Sequence, residues 1–557
     1  MVFFHLTSSP CKNQIIYKYG MTETALYIIP NCPVSCLYYL TRQGKVGKNT
    51  IKITNRATSF LNQEVNIMTK ITTDVAIIAA GPAGLCASVA AAEEGVKVAV
   101  FEKAAIAGGT ANMGMGPFGV ESRLQKMSMI SLTKEEAFRR FMDYVHWQSD
   151  PHLVHDYFWN SGPTIDWLED MGVVFAGAMR NFPASEQTWH VVQPDDGSRP
   201  GARAAGTMNK IIYQRAVELG VDFYFNTPAY EILKDGDKVC GLKARNDSGE
   251  EFEVESKAVI VATGGFGTNP EMVKEYTGYT LNKDMFDFMV PGIVGDGIKM
   301  AWAAGAGKGR MEMERTMGSV LPGASLGAMP QARAFRQASL LAINKSGYRV
   351  CDESVMQNSA VAGSIVDYQQ DKTVYMVLSD SVIRHFKQKG IDFPTEVFHD
   401  DPLENFHEEW EKISKEYPDA AYMADSAEDL AKQIGLPVEN FLETVDQYNE
   451  FCDQNLDDDF GKPHRYLVTL TGKFYALRMA CGAYGSLGGI KINHKLQVIT
   501  DDYKVIPGFY GAGADVCELY NGTYYFYLPG NTMGFAVTSG RMAGGYAAEY
   551  VQSLEDQ

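Results

Sequence analysis

Residues 79–84, Ala-Ala-Gly-Pro-Ala-Gly, constrain this chain more than any other stretch because of what flanks them. Before them runs Thr-Asp-Val-Ala-Ile-Ile-Ala-Ala over 73–80, short and apolar enough for a strand buried in a parallel sheet. An alanine-rich helical stretch follows to Glu94 and Gly95, then a second apolar run over 97–101 that closes on Glu102. Strand, glycine turn, helix, strand and acid in this order form a dinucleotide-binding fingerprint. Ala80, Gly81, Ala83 and Gly84 form the turn: Gly81 lets backbone approach a pyrophosphate, Gly84 lets the helix pack on the strand, and the helix N-terminus faces the anion. Glu102 stands where a carboxylate takes the adenosine ribose hydroxyls. The first glycine of the usual pattern is Ala79 here. Alanine suits that turn if its backbone stays in a region open to L-residues, so weakened rather than lost binding is expected.

Later segments favour FAD over NAD. Gly108, Gly109, Thr110 and Asn112, with Gly114 and Gly116 close behind, offer a flexible backbone for a long cofactor. Residues 259–265 form another apolar strand closing on glycines, with Ala262, Thr263 and Gly264 at its end, and 509–515 repeats the idea with Gly513 and Asp515. The chain therefore returns to the nucleotide domain after a long excursion.

At 557 residues the chain exceeds one core and suits two or three domains. A net charge of -18 argues against nucleic acid and anionic membrane surfaces, and no run is apolar enough for a membrane span. The nine cysteines show no CxxC or CxxCH spacing, so reduced thiols, a cytoplasmic setting and no metal site are expected. Cys32 and Cys36 read as unrelated cysteines.

The N-terminal stretch looks foreign to the rest. Residues 1–67 carry seven lysines or arginines against Glu23 and Glu64, hold three of the nine cysteines and lack helix or strand periodicity. Gln63-Glu64-Val65 can be encoded as a purine-rich bacterial ribosome-binding sequence just before Met68. We expect translation to start at Met68, a disordered extension being the alternative.

Further motifs lie along the chain: GGTANMGMG at 108–116, ATGGF at 262–266, GDGIKMAWAAGA at 295–306, NKSGYRVCDES at 344–354, GKFYALRM from Gly472, SLGGIKIN from Ser486 and PGFYGAGADV from Pro507. In them, and in their order, the chain resembles the flavoprotein family of fumarate reductases and succinate dehydrogenases, with its urocanate reductase and 3-ketosteroid dehydrogenase branches. The resemblance implies an α/β fold: a bipartite Rossmann-like FAD-binding domain with an inserted α+β capping domain and substrate between them. The implied order is a leader over 1–68, FAD-binding parts at 69–300 and 473–550, and a cap at 301–472. It adds Lys103, Asp296, Asn531 and Thr532 to the cofactor residues. An amphipathic helix is read over 436–452, with Tyr448 as core.

The family's dicarboxylate enzymes are expected to carry histidine and arginine at the substrate, and this chain departs from them. Tyr484-Gly485 stands at the histidine, Tyr527 at a carboxylate-clamping arginine, and Gln357 at the proton-donating arginine. Burying an unpaired carboxylate costs several kcal/mol, so fumarate is an unsuitable substrate. Tyr520, Tyr524, Tyr525, Phe526 and Tyr527 suit a large flat molecule with one carbonyl. If extended, this stretch puts Tyr525 and Tyr527 on one face and Tyr524 and Phe526 on the other. We name Tyr527, Tyr525, Tyr484 and Arg336 as catalytic candidates, Tyr527 as the favoured donor. Arg333 and Arg336 either hold one substrate carboxylate or cap a surface; His190 and Arg203 sit in a loop able to approach the site. The expected activity is reduction or desaturation of a CH–CH bond next to a carbonyl, with a separate electron donor or acceptor. The alternatives are a flavin electron-transfer subunit and a degenerate flavin fold.

Overall fold

The computed structural model describes residues 68–287, 291–322, 324 and 329–555, with three short strands further upstream. Those strands, Ile15–Lys18, Ala25–Ile28 and Tyr38–Leu40, form a small antiparallel sheet in a unit of their own, 1–67, separate from 68–557. The rest of the expected leader, Cys32 and Cys36 included, lies outside the described residues.

The nucleotide half is a six-stranded sheet. Val75–Ile78, Val98–Phe101 and Ala258–Val261 are buried along their whole length, as continuous apolar runs must be when helices cover both faces. Val505–Gly511 pairs in parallel with Ala258–Val261, bringing the C-terminal part of the chain back beside strands formed some 250 residues earlier. Gln497–Ile499 and Asp222–Tyr224 close the two edges. The helix Pro82–Glu93 lies against the C-terminal helix Asn531–Glu555 with almost no side chain between them: a Cβ on Gly540 would fall 2.2 Å from Ala83 O, and one on Gly544 2.3 Å from Ala87 O. A four-stranded sheet flanks this half, its edge strand Thr69–Thr72 pairing in parallel with Glu251–Glu255.

The long strand Phe474–Ile490 organises the other half. Although sequence assigns 473 onward to the nucleotide half, this strand pairs with Met285–Asp287, Lys308–Ser319, Thr373–Ser379 and Ala421–Ala424. It thereby carries residues 484–486 from the cap's sheet to the boundary between the halves. The helix expected over 436–452 runs Val438–Gln454, and Tyr448 is 1% exposed. Behind it the cap is tied by a buried ionic cluster in which Glu353 meets Arg349 at 2.8 Å and Lys462 at 3.0 Å, while Arg349 meets Asp457 at 2.8 Å. Cys86, Cys351, Cys452, Cys481 and Cys517 are buried free thiols. Among the described residues no helix is long and apolar enough to cross a membrane, and no group of His, Cys, Asp or Glu is placed to hold a metal ion.

Candidate active site

A cavity of about 440 Å³ runs between the two halves of the 68–557 unit, from Glu102 at one end to Arg336 at the other. Its nucleotide end grows out of the 79–84 turn. The nearest atom to a Cβ placed on Gly81 is Ala262 O at 4.0 Å, and a Cβ on Gly109 would stand 3.6 Å from Gly81 Cα. Two bare backbones thus face each other across a gap that side chains would fill, as a bound pyrophosphate requires. Glu102 accepts from Ala80 N–H at 2.6 Å and Ala104 N–H at 2.7 Å, one on each oxygen, and each oxygen keeps a lone pair for a ribose hydroxyl. Lys103 is held at the same end by Asp296, at 2.9 Å, and by Gly292 O.

Ala79 departs from expectation. Its φ is +83°, in the left-handed region, because the turn keeps the geometry that glycine normally supplies. A Cβ there costs about 1 kcal/mol or more. Ala79→Gly should therefore stabilise the protein by about 1 kcal/mol, read as a higher urea midpoint with or without FAD.

The cofactor residues named from sequence divide into wall and support. Gly81, Ala83, Glu102, Lys103, Gly109, Thr110, Gly114, Gly116, Ala262, Thr263, Gly264, Asp296, Gly513 and Thr532 line the cavity. Ala80, Gly84, Gly108, Asn112, Asp515 and Asn531 stand behind it. Gly84 touches Ala79 O, where a Cβ would be 1.9 Å away; Gly108 N–H donates to Ala80 O at 2.8 Å. Asn112 donates to Ala107 O at 3.0 Å and accepts from Asn209 at 2.8 Å. The Asp515 carboxyl accepts from Thr263 N–H and hydroxyl and from Gly265 N–H, the last at 2.8 Å, so it shapes the 263–265 turn. Asn531 accepts from Tyr157 OH at 3.0 Å.

At the far end Arg333, Arg336, Gln357, Tyr484, Tyr524, Phe526 and Glu314 line the wall. Arg336 donates to Ser359 Oγ at 2.5 Å, and Arg333 lies 5.3 Å from the Phe398 ring centroid, its Nη2 donating to Asp400 O and its Nη1 4.0 Å from the Asp400 carboxylate. Burial pushes the Tyr484 phenol up, Arg336 pulling it down and Glu314 raising it further; burial holds Tyr524 well above the ordinary phenol range. Both phenols are hydrogen-bond donors or acceptors at neutral pH, not bases.

The favoured donor needs correction. Tyr525 and Tyr527 do not line the cavity; Tyr525 packs 4.4 Å from Tyr144 and Tyr527 5.5 Å from Phe182, ring to ring, on the opposite face from Tyr524 and Phe526. The stretch is not a strand but a run of bends and turns, and it is Tyr524 and Phe526 that meet the cavity. His190 and Arg203 lie off the wall too. His190 is fully buried with Nε2 2.7 Å from Ser122 Oγ, and burial lowers it to about 4, so it is a neutral packing residue. Sequence reasoning missed Glu314. It sits in Met-Glu-Met-Glu-Arg-Thr over 311–316, an alternation that reads as a half-exposed strand and marks neither glutamate as buried.

Comparison with known proteins agrees with this geometry. A family model described as FAD binding domain matches residues 74–532. A vinyl phenol reductase of Lactiplantibacillus plantarum is 30% identical over 487 residues, covering 86% of this chain and 96% of the relative. A fumarate reductase (cytochrome) of Shewanella frigidimarina is 29% identical over 483 residues, covering 86% and 77%. The solved 3-ketosteroid-Δ4-(5α)-dehydrogenase of Rhodococcus jostii RHA1 superposes with a TM-score of 0.67 at 20% identity, over 87% of this chain and 99% of that one, a likeness of fold.

Proposed function

This chain belongs to the FAD binding domain family, and on that premise we propose that it reduces a bulky, flat alkene conjugated to an aryl ring or a carbonyl. It is an FAD-dependent oxidoreductase acting on CH–CH bonds. When bound, FAD supplies hydride chemistry at carbon; the residues supply position and charge. The proposed cradle for it is the 79–84 turn, Glu102, Lys103 and the glycines of 108–116.

The observation that carries the substrate class is that both cavity arginines, Arg333 and Arg336, come from one short cap segment, facing a wall of Tyr524 and Phe526. One polar or anionic end can be held there, and the remainder meets aromatic surface. Fumarate, charged at both ends, would leave one carboxylate without a cation. A vinyl phenol, an aryl-acrylate or an enone each has one polar end on a flat body, and the first matches the name of the 30%-identical relative. Electrons are taken to come from a separate donor, and the free thiols favour a cytoplasmic setting.

The test is reoxidation of chemically reduced, FAD-loaded protein by vinyl phenols, aryl-acrylates, enones and fumarate. Conjugated aryl or carbonyl alkenes should reoxidise it at least about tenfold faster than fumarate. Arg336→Met should raise KM about 10–100-fold, the loss of a charge-assisted hydrogen bond. Tyr527→Phe, off the wall, should change the rate by less than about twofold. Reoxidation by a redox protein alone would favour an electron-transfer subunit instead.

A further inference from the structure

We infer that Glu314 is the catalytic acid of this cavity, entering the reaction protonated and giving its proton to the alkene carbon that does not receive hydride. The inference rests on the alkene reading above and adds to it the residue that supplies the proton.

Strand register puts Glu314 there. Lys308–Ser319 pairs with Phe474–Ile490 so that Met313 faces Ser486 and Arg315 faces Ala483. Glu314 alone therefore stands opposite two residues, Tyr484 and Gly485, in a β-bulge. Bulges re-aim side chains, and here all three residues line the cavity. Thr532 Oγ1 donates to Glu314 at 2.7 Å, and Thr532 N–H donates to the Tyr524 hydroxyl at 2.9 Å. The carboxyl is thus tied to the N-terminus of the helix Asn531–Glu555, whose Thr532, Met533 and Ala536 form part of the same wall.

Its surroundings keep the proton on. Glu314 is 4% exposed, and among the described residues no salt bridge reaches it. Glu353, equally removed from water, is met by Arg349 and Lys462, which pull it below the ordinary carboxylate range against the effect of burial. Glu314 is met by a hydroxyl, and burial pushes it up to about 8. The groups that face it are mainly phenols and a thiol. Tyr484 faces it from the paired strand, and Tyr520, Tyr524 and Cys517 from the segment before the C-terminal helix, all raised by burial. Glu312, two residues along its own strand, is raised by burial as well, with Arg310 and Arg315 pulling it down; Arg336 acts on this corner through Tyr484. Among the groups on the far wall, the phenols hold their protons more tightly than this carboxyl, and the Gln357 amide is no useful acid. A carboxylic acid that is protonated at neutral pH yet close to its own midpoint suits proton donation.

The stoichiometry closes. The alkene exchanges its π bond for two C–H bonds, consuming one hydride equivalent from reduced FAD, which is oxidised, and one proton from Glu314. The carboxylate left behind takes a proton back from water, and the separate electron donor restores reduced FAD.

The experiment uses the FAD-loaded protein and its Glu314→Gln variant. FAD content should be unchanged, as should the flavin absorbance change caused by ethyl phenol, which binds without being reduced. Reoxidation of reduced protein by ferricyanide should also be unchanged, while reoxidation by vinyl phenol or the best alkene of the screen falls at least about 100-fold. Glu314→Asp should recover part of the rate. In the wild type the alkene rate should fall as pH rises through about 8, a dependence the glutamine variant lacks. The infrared spectrum at neutral pH should contain a protonated-carboxyl band that Glu314→Gln removes. An unchanged alkene rate in Glu314→Gln, or the absence of that band, overturns the inference while the substrate class stands. A wild type inert to every conjugated alkene overturns the substrate reading and this inference together.

Discussion

Glu353→Leu should lower stability by about 3–5 kcal/mol, the usual consequence of removing one partner from a buried ion pair. The Glu353 carboxylate accepts from Arg349 Nε at 3.0 Å, Arg349 Nη2 at 2.8 Å and Ala342 N–H at 3.0 Å, and stands 3.0 Å from Lys462 Nζ. Without it Arg349 keeps Asp457, but the fully buried Lys462 ammonium keeps, among the described residues, only Leu340 O and the Tyr448 hydroxyl, each at 2.8 Å. A charge in that position must shed its proton or draw in water. The double variant Glu353→Leu with Lys462→Met should recover most of the loss, because it removes both members of the pair and leaves Arg349 with Asp457. Urea denaturation of wild type, Glu353→Leu, Lys462→Met and the double variant forms the cycle that checks this. The pH dependence has a definite sign. Glu353 sits below its ordinary value, so its contribution is present above the unfolded carboxylate range, about pH 4–5, and is lost as pH falls through the lower folded value. The gap between wild type and Glu353→Leu should therefore narrow in acid. Since Met356 and Gln357 reach the cavity from the 3-10 helix Glu353–Gln357, the single variant should also weaken substrate binding.

Gly84→Ala should yield protein that holds FAD poorly, with affinity weakened by about 5- to 150-fold. The added methyl carbon would fall 1.9 Å from Ala79 O and 3.0 Å from Ala79 C, both backbone atoms that no rotamer change can move. The helix Pro82–Glu93 must shift away from the strand Val75–Ile78, taking with it the N–H groups that start the helix beside Gly81. Strain from such overpacking is about 1–3 kcal/mol, and each 1.4 kcal/mol drawn from binding is tenfold in Kd. Flavin fluorescence titration of the apoprotein gives the number. Retention of FAD at wild-type affinity would mean that the cofactor does not depend on this turn. The contrast with Ala79→Gly is informative, since the two substitutions act on one turn with opposite signs: one relieves a left-handed alanine, the other inserts a side chain where two backbones touch.

Most of the nucleotide half could be read from residues in order. The runs at 75–78, 98–101 and 258–261 are wholly apolar because both faces of each strand are covered, and the Gly81–Gly84 spacing carries its own steric reason. These are local rules, and the chain obeys them within a few residues. Cavity walls obey no such rule. Tyr524 and Tyr527 are the same residue type three positions apart, and which one meets the cavity depends on how 520–530 lies against Phe141, Tyr144 and Phe182, contacts made with segments hundreds of residues away. Arg333 and Arg336 could equally well have capped a surface until the cap's placement turned them inward.

Local motifs thus gave the cofactor class and the chain's return to the nucleotide half, because backbone sterics and apolar periodicity are written over neighbouring positions, and the inserted cap followed from the family resemblance those motifs carry. The chemistry at the substrate end was left to folding. Glu314 differs from Glu312 only by a one-residue mismatch in register against a strand more than 150 residues away, and by whether a cation lies within reach once water is excluded. Burial and charge pairing are properties of assembled surroundings, so the acid became visible only when the two strands were paired.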